Sequence, residues 1–213
     1  MKTLVILQPS FLPWCGYFDL IAKSDIFIFY DHVQFDKNGW RNRNKILNKE
    51  SMKEEWITLP IKKVSNQSIK DVKLSDFSYN VKKIQKIIVQ NYSKHPNFDS
   101  FFKILKNLLS KDWIFLSELN ISLTNHICKY LNIKVNSIKS SDLKNIYGKN
   151  ENIINLCKQF SCERYLSGPS AKDYIDEEIF KRENIFIKWH EYVPGFYNQH
   201  GVSSKQDFYS YLS

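Results

Sequence analysis

Pro9, Pro13, Trp14 and Gly16 fall within eight residues of one another, directly after an apolar run. A purely structural loop rarely needs that combination. If a helix opens at Gly16-Tyr17, its free backbone N–H groups and dipole favour an anion such as phosphate or carboxylate. Gly16 would let the backbone approach that group closely. The competing reading is a rigid turn in which Trp14 plugs the core and Cys15 is a small apolar filler rather than a nucleophile.

A second cluster is Trp40-Arg41-Asn42-Arg43-Asn44. Arginine recognises phosphate or carboxylate in a bidentate way. Asparagine offers a donor and an acceptor suited to sugar hydroxyls or an amide. Trp40 could stack on a base or a sugar face. The competing reading is a surface hairpin with solvated charge. Ser167-Gly168-Pro169-Ser170 could form another anion cradle, or simply start a helix, with Ser170 as N-cap and Asp173 three residues on. A histidine such as His190 has the residue type that suits a general base or an orienting donor, although a lone histidine is more often structural. His32, after Asp31, is a weaker candidate. No phosphate-binding Gly-rich loop, zinc-protease motif or nucleophile elbow is present.

Elements must hold these groups in place. Thr3 to Leu7 and Ile26 to Tyr30 read as strands buried on both faces, joined by a short helix over Tyr17 to Lys23. Such a pair should be parallel with a right-handed crossover. Trp56 to Ile61 reads as another strand, and Val64 to Leu74 as an extended excursion. Apolar residues recur at helical spacing through Val81–Ile88, Phe98–Leu109 and Leu116–Ile127. Strands are expected over Ile133–Ile138, Glu163–Leu166 and Ile185–Trp189, with a helix over Asn152–Phe160. The expected fold is therefore α/β: a mostly parallel, Rossmann-like sheet flanked by helices. Residues 1–213 would form one domain, with the helical middle, 79–131, open to reading as a subdomain. In such a sheet, ligands bind beyond the carboxyl ends of the strands. The segments from Gln8, Asp31, Ser167 and His190 would all fall on that edge.

Composition bounds the answer. A chain of 213 residues with 43% hydrophobic and 15% aromatic content is globular rather than disordered. The net charge of +9 suits an anionic partner, but the lysines are scattered along the chain. Nucleic acid is a remote alternative, since no recognised binding module is visible. The four cysteines lack Cys-x-x-Cys spacing, which argues against zinc and against a disulfide framework. The N-terminal apolar run is too short for a signal peptide, and no stretch approaches a membrane span. A cytoplasmic protein with no metal is the expectation. Nothing in the sequence sets an oligomeric state.

Gln8-Pro9, Leu12-Pro13-Trp14, Gly16-Tyr17-Phe18, Asp25-Ile26-Phe27, Asp31, Val33-Gln34-Phe35, Lys37, Trp40 and Asn42-Arg43-Asn44 together resemble the WbqC-like family. Tyr165 to Ser170 and Tyr197-Asn198-Gln199 do so as well, so the resemblance spans nearly the whole chain. It departs at Val193-Pro194-Gly195-Phe196, where a His-Pro before the tyrosine is expected. The resemblance implies a cytoplasmic role among O-antigen and surface-polysaccharide genes, in making or decorating a nucleotide-activated sugar. It supplies no reaction. The function expected is the tailoring of a nucleotide-linked amino sugar, by acyl or aminoacyl transfer. The partner is then a nucleotide-linked sugar or another anionic small molecule. No cofactor is expected beyond an acyl or aminoacyl donor. Arg41 and Arg43 would take phosphate, and Asn42, Asn44 and Gln34 hydroxyls or an amide. Trp14 and Trp40 would shape the pocket, and Asp31 or His190 would manage a proton. Gln8, Pro9, Gly16, Tyr17, Lys37, Ser167, Gly168, Ser170, Tyr197 and Gln199 complete the binding set. A non-catalytic binding or scaffold role in the same pathway stays open. A fainter resemblance links the β–loop–α–β start to nucleotidyltransferase folds. Trp14-Cys15-Gly16-Tyr17 stands where those carry His-x-Gly-His, so only the fold analogy carries over.

Overall fold

The computed structural model describes residues 1–144 and 150–193, and the backbone of 197–199 and 202–204. His200 and the Pro194–Phe196 segment lie outside the described residues. By internal contacts the chain divides into two compact units. The first comprises Met1–Gln8, Gly16–Asp31 and Ile133–Val193; the second comprises Pro9–Cys15, His32–Asn132 and Pro194–Ser213.

The first unit is α/β. Its strands are β1 (Thr3–Leu7), β2 (Ile26–Phe29), β5 (Ser137–Lys139), β6 (Arg164–Ser167) and β7 (Phe186–Trp189), in the order β5-β2-β1-β6-β7. Every pairing in this sheet is parallel. Alternation along the strands splits their side chains between two covered faces. Leu4, Ile6, Ile26 and Ile28 pack with Ile153, Leu156 and Phe180 of α5 (Asn150–Gln159) and α6 (Glu177–Arg182). Phe27, on the other face, meets Tyr17 of α1 (Cys15–Ala22) edge to face, with ring centroids 5.8 Å apart. Thus α1 covers one face and α5 and α6 the other, as right-handed crossovers in opposite directions from β1 require.

The second unit carries an antiparallel hairpin, β3 (Arg43–Leu47) with β4 (Glu54–Thr58), and three helices, α2 (Phe77–Tyr92), α3 (Phe98–Leu109) and α4 (Leu116–Tyr130). Another short hairpin pairs β8 (Tyr197–Gln199) with β9 (Val202–Ser204). The helices bury the residues their periodicity marks, among them Val81, Ile84, Leu105, Leu116, Leu119 and Leu123. The Tyr92 hydroxyl of α2 accepts the Leu47 N–H at 3.1 Å and so ties the helix to the hairpin.

Several expectations need correction. The strand expected at Trp56–Ile61 lies at Glu54–Thr58 and pairs only with β3. Arg43 and Asn44 therefore begin a strand instead of ending a loop. The strand placed at Ile133–Ile138 lies at Ser137–Lys139. Helix α1 opens two residues early, at Cys15. Ser170 caps no helix: Pro169–Ala171 is one 3-10 turn, and α6 begins later, where the Asp176 carboxylate accepts the Glu178 N–H at 3.1 Å. A Ser-x-x-Asp pattern is common in turns and needs an apolar helical run behind it, which Asp173-Tyr174-Ile175-Asp176 does not supply.

Candidate functional site

The carboxyl edge of the parallel sheet gathers Gln8 after β1, Asp31 after β2, Ser140 after β5, Ser167 and Gly168 at the end of β6, and His190 after β7. The crossovers from β1 and β6 leave to opposite faces, so a topological switch point lies between these neighbours. Their ladder is also short. It covers Thr3↔Arg164 and Leu4↔Tyr165 and then stops, while β1–β2 continues to Leu7↔Phe29 and β6–β7 to Ser167↔Trp189. Beyond Leu4 and Tyr165 the two central strands no longer pair, at the edge where ligands enter such folds.

Polar groups lie at that edge. Tyr17 Oη donates to the Gln8 carbonyl at 3.2 Å, which fixes the start of α1 against the end of β1. The His190 N–H donates to the Ser167 carbonyl at 2.8 Å. The His190 side chain is only 4% exposed, and its Nε2 lies 2.6 Å from Asp19 Oδ2. Asp19 also pairs with Lys23, one helical turn further on. Burial pushes the Asp19 carboxyl up, but hydrogen bonds from His190 and Lys23, with the charge of both, hold it below its usual value. An ionised carboxylate on one imidazole nitrogen fixes the tautomer and leaves the other nitrogen as the basic one. Tyr192 stacks on the ring at 6.2 Å.

Asp31 is used differently. It is 1% exposed, and its carboxylate accepts from Ser140 Oγ (2.9 Å), the Ser141 N–H (2.9 Å) and Ser141 Oγ (2.8 Å). Both oxygens tie the end of β2 to the end of β5, so His190 is the better placed proton acceptor. Asp19 was missed by sequence reasoning. Its signal was an acid inside the otherwise apolar helix Cys-Gly-Tyr-Phe-Asp-Leu-Ile-Ala.

In the second unit the conspicuous polar residues hold a loop. Phe11, Leu12 and Pro13 are buried, while Trp14 is 41% exposed and Cys15 is exposed, so neither is core filler. Leu12 has φ 45°, a conformation a leucine rarely adopts. Asn44 Nδ2 donates to the Phe11 and Leu12 carbonyls, at 3.1 and 2.6 Å. Asn120 of α4 donates to the Arg41 carbonyl at 2.7 Å and reaches the Pro9 carbonyl at 3.5 Å. The Phe11 N–H donates to the Trp40 carbonyl at 3.1 Å, and Arg41 Nη1 donates to Ser10 Oγ. Asn42 donates to the Leu59 carbonyl at 2.9 Å. Arg43 donates to the carbonyls of Gly39 and Asn38 and lies 4.4 Å over the half-exposed Trp56 ring, which Trp40 also meets at 5.1 Å. Gln34 and Lys37 are exposed. Gly168 has open space where a Cβ would stand, so close approach there does not require glycine. Ser170 is exposed. Tyr197 and Gln199 lie on β8, with side chains outside the described residues. Among the described residues, no three His, Cys, Asp or Glu side chains gather as a metal site.

A family model, the WbqC-like protein family, matches residues 8–213, from the loop after β1 onward. The chain belongs to the WbqC-like protein family. It is 38% identical over 195 residues to "Uncharacterized protein Rv1507c" of Mycobacterium tuberculosis, covering 90% of this chain and 83% of that protein. No solved structure matches it. No helix of this WbqC-like protein is long and apolar enough, among the described residues, to cross a membrane.

Proposed function

We propose that this WbqC-like protein is an enzyme that tailors a nucleotide-linked amino sugar for surface-polysaccharide synthesis, by acyl or aminoacyl transfer. The observation that supports this most is the end of the β1–β6 pairing at the switch point, with the Asp19-oriented His190 on the same sheet edge. In this reading the diphosphate lies at the first turn of α1, near Gly16 and Tyr17, where the helix dipole favours an anion. His190 takes the proton from the attacking amine as it becomes an amide, and the acyl donor's leaving group departs with the electron pair of the broken bond.

A thermal-shift screen of UDP-, dTDP-, GDP- and CDP-linked sugars, with and without acyl donors, tests this. A ligand at ~100 times its Kd adds roughly 2.7 kcal/mol of stability. A hit whose binding survives His190→Ala while product formation does not is the expected result. Absence of any hit overturns the reading.

A non-catalytic binding role is the second reading. It is favoured by the commitment of Asp31, Asn42 and Asn44 to holding the structure together. Turnover lost in His190→Ala at unchanged affinity would dispose of it.

A further inference from the structure

On the face covered by α5 and α6, at the same sheet edge, lies a group of polar side chains that the chemistry above does not use. Tyr30 follows β2, and its N–H donates to the Leu7 carbonyl at 2.8 Å, which anchors the residue at the edge. Asn152, in the first turn of α5, is 1% exposed and donates through Nδ2 to the Tyr30 hydroxyl at 2.6 Å. Its Oδ1 has no hydrogen-bond partner among the described residues. Tyr165 of β6 lies fully buried on this face, stacks on Phe180 with centroids 6.0 Å apart and shares a hydrogen bond with Ser167. Tyr174 is half exposed, and Asn150 donates to its carbonyl at 3.3 Å. Burial pushes the Tyr30 phenol up; burial and then the Tyr30 phenol do the same for Tyr174.

A buried amide oxygen without a donor keeps its full desolvation penalty and calls for a partner. Turning the amide over would let Tyr30 donate to Oδ1, but Nδ2 would then be left unmatched. A hydroxyl both donates and accepts, so it satisfies either orientation. The phenol of Tyr30 supplies a second polar contact, and the aromatic rings offer the apolar faces that pyranose C–H groups pack against. The geometry points to a hydroxyl-recognising subsite, formed by Tyr30 and Asn152 with Tyr174 at its side, that takes the sugar ring of the ligand. This assignment rests on the nucleotide-sugar reading and names the part of the ligand bound on this face.

Calorimetry on the full chain compares UDP, dTDP, GDP and CDP with their hexose conjugates, in wild type, Tyr30→Phe and Asn152→Ala. Thermal melts establish that both variants are folded; Tyr30→Phe keeps the ring and removes one oxygen. The expected result is that the hexose improves affinity in wild type, and that either variant loses about fivefold of that gain while binding the bare diphosphate as before. A hexose gain that survives both variants, or no gain at all, overturns the subsite and leaves the nucleotide-sugar reading standing. If no nucleotide ligand binds, that reading fails. The Asn152 side-chain amide resonance, identified by its loss in Asn152→Ala, then decides the subsite alone. Its displacement by saturating methyl glycosides supports hydroxyl recognition. An unmoved resonance overturns it and leaves an ordered water as the partner.

Discussion

In the parallel-sheet unit, the histidine at the strand ends is held from behind by Asp19, so its ring presents one defined nitrogen. In the hairpin-and-helix unit, the asparagines and Arg43, which look most like ligand contacts, spend donors on backbone carbonyls, and Arg41 donates to Ser10 Oγ. Asn44 clips the strained Leu12, Asn120 holds Arg41, and Arg43 is fastened to Asn38 and Gly39. The same residue types thus do different work. What separates the two is where each donor and acceptor ends, which residue type alone does not reveal. Asp31 shows that the division is not simply by unit, because it sits at the sheet edge and yet serves as a tie.

The comparison breaks or sharpens on measurement. Asp31→Ala strands one buried and two part-buried donors and should lower unfolding free energy by about 3 kcal/mol in urea denaturation. An effect within error would mean that Asp31 is free to act on a ligand. Asn44→Ala removes the clip on the Phe11 and Leu12 carbonyls and should cost about 2 kcal/mol. Arg43→Ala loses the Trp56 contact and two carbonyl bonds at a half-exposed site, for about 1 kcal/mol. If Arg43→Ala instead leaves stability intact and abolishes nucleotide binding, its guanidinium is a ligand group and the contrast fails.

A smaller effect concerns acid. The folded Asp19 carboxyl sits below its unfolded value, so its contribution is present above that value and fades as pH falls through the folded one. Melting temperatures below pH about 4 should therefore fall less steeply in Asp19→Asn than in wild type. With no effect on stability at all, thiol labelling should modify exposed Cys15 first. Cys128 and Cys157, whose thiols burial pushes up to about 11 and about 12, should react only on unfolding. Protection of Cys15 by a bound nucleotide sugar would place the ligand near the start of α1.

Much was legible before any coordinates. Local pattern determined the four strands with apolar runs, the three middle helices, the parallel α/β class and the polar segments that end its strands, because alternation and helical spacing record which faces leave water. The family motif around the first loop was legible too. Tertiary structure alone decided which polar residues are spent. Asp19 meets a histidine 171 positions away, Asn44 meets carbonyls 32 and 33 positions back, and the β1–β6 ladder stops after Leu4 and Tyr165. None of these leaves a period in the sequence. Each follows from the need to satisfy a buried polar group with whatever the fold brings beside it, and that neighbour is fixed only when the chain has packed.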